Sequence, residues 1–209
     1  MPALPNAVQI RVSINRVSPL IWRRLVVPLH WNLKDLHLAI QAAFNWWNYH
    51  LYEFRIGEKR YGDLEMWEEG GVEDDLHILD IHDFHLEDFH DAETVFTYVY
   101  DFGDNWRHTL EIEESLTFEK MPRQASCIAG ACARPPEDVG GVEGYKDVLK
   151  IIARPKHPEH VATKRWCGGY FDPEWFDLQI VDKDVRAALK PNVRRRLYQP
   201  KPKSLPAKA

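Results

Sequence analysis

The residues best equipped for chemistry lie between Phe96 and Ile112, in the run F-T-Y-V-Y-D-F-G-D-N-W-R-H-T-L-E-I. Asp101, Asp104, Arg107 and His108 stand close together there. Two carboxylates and an imidazole suit a divalent cation or an acid–base pair. The same residues also have ordinary structural uses. Asp104 and Asn105 are turn residues, Asp101 can pair with Arg107, and His108 can bond Tyr100 or a backbone group. A second acidic pair, Glu137 and Asp138, sits inside P-P-E-D-V-G-G. It would complete a cation site with Asp101 or Asp104, although Pro-Pro-Glu-Asp is also a helix-start pattern. The functional reading gains if this loop folds onto the hairpin turn.

Weaker constellations follow. Cys127 and Cys132, with the distant Cys167 and a histidine, would make a Cys₃His zinc site. Paired C-x₂-C knuckles are missing, and three unpaired thiols are the simpler reading. His77, His82, His85 and His90 crowd one segment with no third ligand in view and read as solvated. Trp22, Arg23 and Arg24 set an aromatic beside two cations, either to stack on bases or to pack in the core.

The elements around these residues are legible from periodicity. Val8, Ile10, Val12 and Ile14 alternate with polar residues, as in a half-buried strand. Ile21 to Val27 reads as a second strand, closed by Pro28. Asn32 looks like the cap of a helix burying Leu33, Leu36, Ile40 and Phe44, and Leu51 to Ile56 resembles a strand. Asp63 to Asp75 is an acidic loop, followed by a short strand and a short helix. The main hairpin is expected to turn at Gly103 to Asn105, pairing Phe102 with Trp106, Tyr100 with His108, and Asp101 with Arg107. Met121 to Gly144 is a long Pro- and Gly-rich loop. Helices are expected over Tyr145 to Ala153, Pro158 to Trp166 and Ile180 to Leu189. The predicted class is α+β: an antiparallel or mixed sheet, a long helix in the first half, a helical C-terminal half and a single core.

Bulk properties narrow the setting. With 44% hydrophobic residues, the 209-residue chain is globular in composition. It shows no membrane-length apolar run and no secretion signal. Three cysteines suggest a reducing cytoplasm. Seven of the 27 basic residues fall after Leu189, which leaves 20 against 32 acids in the body, a net of −12. An acidic body argues against a broad nucleic-acid face. Residues 1–189 are expected to form one domain and 190–209 a flexible basic tail, in which Arg194, Arg195 and Arg196 are the weak nucleic-acid candidates.

Five segments in order carry a family resemblance: I-W-R-R at Ile21, Y-D-F-G-D-N-W-R-H at Tyr100, C-I-A-G at Cys127, P-P-E-D-V-G-G at Pro135 with Gly144-Tyr145, and F-D-P-E-W-F-D at Phe171. From Val8 to Leu189 the chain resembles the plasmid pRiA4b ORF-3-like family. One departure is that Arg134 and Val139 stand where many relatives have cysteines. The resemblance implies a compact α+β domain with no settled reaction, associated with plasmids and mobile elements. Some relatives carry a resolvase label, but Ser13 on the polar face of a strand, without an arginine constellation, gives it no support here.

The leading expectation is therefore a binding or accessory domain linked to mobile DNA, with no cofactor predicted. Its surface would comprise Tyr100, Trp106, Arg107, Gly140, Gly141, Tyr145, Trp22, Arg23 and Arg24. The alternative is a metal-assisted hydrolase or nuclease using Asp101, Asp104, His108, Glu137 and Asp138, which requires a divalent metal. A third reading is a protein-interaction module.

Overall fold

The computed structural model describes residues 4–70, 77–90, 94–191 and 195–201. Its frame is one eight-stranded sheet: β1 (Ala7–Ile14), β2 (Trp22–Pro28), β3 (Tyr52–Ile56), β4 (Lys59–Gly62), β5 (Ile78–Asp80), β6 (Val95–Tyr100), β7 (Trp106–Leu116) and β8 (Ser126–Ala131). The spatial order is β5-β4-β3-β6-β7-β1-β2-β8, and only the β4–β5 pairing is parallel. Five helices among the described residues surround it: α1 (Leu33–Phe44), α2 (Leu64–Glu69), α3 (Gly141–Ile152), α4 (His160–Trp166) and α5 (Leu178–Arg186).

This architecture is mostly β, which corrects the expected class. The described residues are 26% helical. The helix expected to be long, α1, has 12 residues, about three turns. The second half is not helical throughout, because it holds the 11-residue β7 and the edge strand β8. β8 lies inside the segment read as a Pro- and Gly-rich loop. Its Ser-Cys-Ile-Ala-Gly-Ala sequence has little alternation to read, and pairing with β2 makes it a strand. The acidic segment after Asp63 also hides a helix, α2, whose first turn Asp63 caps by accepting from the Met66 N–H.

Two local expectations set up the site. Asn32 Oδ1 accepts from the Asp35 N–H at 2.9 Å and starts α1, which buries Leu33, Leu36, Ile40 and Phe44. The helix stops at Asn45 in the left-handed region, so that Trp46 turns into the core and residues 48–50 run beside the hairpin. The hairpin itself pairs Tyr100 with Trp106, Val99 with Arg107 and Tyr98 with His108. That register differs by two from the expected one, and the loop runs from Asp101 to Asn105. An even slip keeps each strand side chain on its face, so Tyr98, Tyr100, Trp106, His108 and Leu110 are all buried, whereas Phe102, expected opposite Trp106, falls in the loop and is exposed. The cause lies in the turn. Asp101 (φ 57°) and Asn105 (φ 54°) occupy the left-handed positions, and Gly103 does not.

Residues 195–201 lie against the body and do not project from it. Asn45 Nδ2 donates to Arg196 O (2.6 Å), Trp47 Nε1 to Leu197 O (3.0 Å), and Gln199 exchanges two hydrogen bonds with the Asp172 backbone. No helix among the described residues is long and apolar enough to cross a membrane.

Candidate metal centre

Three chain segments converge at the hairpin turn. The first follows α1 and carries Tyr49 and His50. The second is the turn itself, whose Asp101 N–H donates to Leu51 O at 2.9 Å. The third is P-P-E-D-V-G-G, which locks onto the turn through the Gly140 N–H and Asp104 Oδ2 (3.2 Å). At Gly141 (φ +66°) a Cβ would lie 2.6 Å from the Asp104 carbonyl oxygen, so only glycine fits this approach. Asn48, Asp101 and Asp138 all adopt positive φ, concentrating unfavourable backbone at one place.

The convergence gathers His50, Asp101 and Asp138, whose donor atoms all lie within 4.8 Å of one another. His50 Nε2 is 3.4 Å from Asp101 Oδ2 and 3.2 Å from Asp138 Oδ1. It makes no properly directed hydrogen bond to either, although it is buried from solvent. Each carboxylate is held by its other oxygen. Asp101 Oδ1 accepts from the Gly103 and Asp104 N–H groups (2.9 and 3.2 Å), and Asp138 Oδ2 accepts from the Tyr49 hydroxyl (2.5 Å). Such outer contacts are what orient ligands in metal sites. A Zn²⁺ ion about 2.0–2.2 Å from each donor places donors about 3.0–3.5 Å apart, and the two distances from His50 Nε2 to the carboxylates, 3.4 and 3.2 Å, fall in that range.

Glu137 sits behind this triad, 3% exposed. Its Oε1 accepts from the Trp47 N–H (2.5 Å) and the Tyr100 hydroxyl (3.4 Å), while Oε2 has no partner. Burial raises its pKa, opposed by the nearby Arg134 guanidinium. Tyr100 and Tyr49 are pushed up as well, by burial foremost and then by these acids, so both remain protonated donors. Glu137 and Asp138 also line a cavity of about 240 Å³ formed by the end of α1, residues 133–138, the end of α4 and residues 196–200.

The remaining predicted residues are distributed differently. His108 is a core residue. Its Nδ1 faces the Trp106 and Tyr98 carbonyls, its Nε2 accepts from Trp46 Nε1, and burial lowers its pKa to about 4. Tyr100, Trp106 and Tyr145 are buried and offer no surface. Arg107 is exposed and reaches Asn105, not Asp101. Arg23 points inward between Phe44 and Phe176 and donates to four backbone carbonyls. Arg24 pairs with Glu113 (2.5 Å), and the guanidiniums of Arg11 and Arg24 lie over Trp22. Cys127 and Cys167 are buried thiols pushed up to about 11 by burial, and no cysteine joins a ligand cluster among the described residues. His82 pairs with Asp80, and His85 caps a 3-10 turn. Arg196 pairs with Asp184 and Arg195 donates to Trp46 O, while Arg194 lies outside the described residues. Sequence reasoning missed His50 and Tyr49. They sit in N-W-W-N-Y-H after a helix, with no ligand spacing to single them out.

Comparison with known proteins fixes the lineage. A family profile described as plasmid pRiA4b ORF-3-like protein matches residues 6–180. The chain belongs to the plasmid pRiA4b ORF-3-like family. An uncharacterized family relative, y4hQ of Sinorhizobium fredii, is 37% identical over 166 residues, which is 78% of this chain and 81% of y4hQ. A crystal structure of a protein of unknown function from Methanosarcina mazei Go1 superposes with TM-score 0.75 at 34% identity. It covers 87% of this chain and 97% of that one. The sheet and its helices are thus a shape shared with a solved relative, and neither relative brings a reaction with it.

Proposed function

We propose that this chain is a divalent-metal-dependent hydrolase, with the cation held by His50 Nε2, Asp101 Oδ2 and Asp138 Oδ1. The observation that carries the reading is the imidazole nitrogen that faces two carboxylates yet bonds neither. A nitrogen and two oxygens suit Zn²⁺ or Mn²⁺ and leave coordination positions open. A bound cation makes water acidic enough to ionise near neutral pH. Glu137 would serve as the base for that water, since one of its oxygens is held by the Trp47 N–H and the other has no partner. The set revises the expected ligands: His50 replaces His108, and Asp104 positions the loop.

Calorimetric titration with Mn²⁺ and Zn²⁺ tests the site. One ion per chain is expected, at least tenfold weaker in Asp101→Asn and His50→Ala. Equal affinity in all three proteins would refute it. Turnover of chromogenic ester and phosphoester substrates should require the ion, and Glu137→Gln should lower kcat without changing ion affinity. An accessory role on mobile DNA has less support, because Arg195 and Arg196 are spent on contacts with the body.

A further inference from the structure

The cavity beside the triad has walls that imply a ligand. Trp47, Trp166, Phe171, Trp175 and Tyr198 line it, so its walls are aromatic on several sides. Trp166, at the end of α4, leaves 46% of its surface exposed, which is uncommon for so large an apolar side chain without a partner. Tyr198 closes another side, packed so tightly on Gly168 that a Cβ there would meet its ring at 2.4 Å.

The polar end sets Arg134 beside the carboxylates of Glu137 and Asp138. Arg134 lies over the rings of Trp46 and Trp47, with its carbon 5.0 and 5.9 Å from their centroids. Its Nε donates to Asn45 O (3.2 Å) and its Nη1 to Pro135 O (2.5 Å), which fixes the guanidinium and leaves Nη2 without a hydrogen bond. Arg23 cannot take that role, because all three of its nitrogens serve carbonyls. Arg196 is committed to Asp184. One fixed guanidinium nitrogen without a hydrogen bond, in an aromatic chamber, suits one oxyanion oxygen on a flat ring. The volume, about 240 Å³, is below the roughly 300–1,000 Å³ of drug-sized pockets, so the ligand is small.

We infer that this cavity binds a single-ring aromatic carboxylate, its ring among Trp47, Trp166, Trp175 and Tyr198 and its oxyanion on Arg134 Nη2. The inference goes beyond the metal reading and does not need the cation. It places the acid group at the end of the cavity that Glu137 and Asp138 also line, next to the triad.

Benzoate titrated into the full chain in EDTA, followed by tryptophan fluorescence, tests it. Saturable binding is expected, at least tenfold tighter than that of the neutral benzyl alcohol and tighter than that of phenyl phosphate. Trp166→Ala, at an exposed position, should weaken it at least tenfold without lowering Tm. Arg134→Lys should erase the preference for benzoate over benzyl alcohol. If that variant does not fold, the comparison of acid and alcohol on the wild-type protein carries the same test. Equal binding of acid and alcohol, a preference for phenyl phosphate, or binding unchanged by Trp166→Ala would each overturn the assignment. Binding that appears only with Mn²⁺ would move the oxyanion from Arg134 to the cation and overturn it too. Failure here leaves the metal titration untouched, so the two proposals fall separately.

Discussion

His108 offers a sharp test of which imidazole serves chemistry. Its ring is fully buried, and burial lowers its pKa from 6.5 to about 4. Between those pH values the unfolded chain binds a proton that the folded chain refuses. Stability is therefore intact above pH 6.5, falls as pH drops towards 4, and stops falling on this account below it. At about 1.4 kcal/mol per pH unit, the full loss is about 3 kcal/mol. Replacing His108 with Gln keeps a donor for the Trp106 carbonyl and removes the titration. At pH 7.5 the variant should lose about 1–2 kcal/mol through imperfect hydrogen bonding. At pH 4.5 most of that difference should vanish or reverse, because only the wild type pays for the buried neutral ring. Urea unfolding of both proteins at the two pH values measures this. His37, also lowered by burial, is present in both and largely cancels. Parallel losses in the two proteins would refute the assignment of His108 as a neutral core group.

Other consequences concern the frame of the site. Gly141→Ala should destabilise the protein by about 2 kcal/mol or more and weaken ion binding. The added Cβ meets the Asp104 backbone and the residue sits at positive φ; calorimetry and urea melts read both effects. Arg23→Met should cost about 3–5 kcal/mol in urea unfolding, because it strands four carbonyls that one buried guanidinium serves. Arg24→Ala should cost less than about 1 kcal/mol, as its pair with Glu113 is partly solvated. Tyr49→Phe should leave stability near wild type and weaken the ion several-fold by freeing Asp138 Oδ2, as a parallel Mn²⁺ titration would show.

What could be read from sequence followed from how local the signal was. Alternation at Val8–Ile14 and the Asn32 cap are short-range patterns, and the structure carries both. The hairpin faces survived a wrong loop length because side chains repeat every two residues, so a slip of two shows in burial only at Phe102, which the longer loop exposes. β8 was unreadable because its small residues become a strand only through the edge of β2. The helical weight assigned to the second half failed at β8 for the same reason, while β7 continues the second strand of the readable hairpin and pairs with β1. At the site, Asp101 and Asp138 were legible as acids in turn-forming motifs. His50 was not, because its partners lie 51 and 88 positions away and meet it only through the fold. Arg195 and Arg196 looked like free tail cations, and only the structure reveals the carboxylate and carbonyl that take them up.

The most direct test of the metal centre is a crystal soaked in MnCl₂ and measured for anomalous scattering. One peak is predicted between His50 Nε2, Asp101 Oδ2 and Asp138 Oδ1, about 2.0–2.2 Å from each, and it should vanish in Asp101→Asn. No peak there at millimolar Mn²⁺, or a peak that persists in Asp101→Asn, would contradict the account.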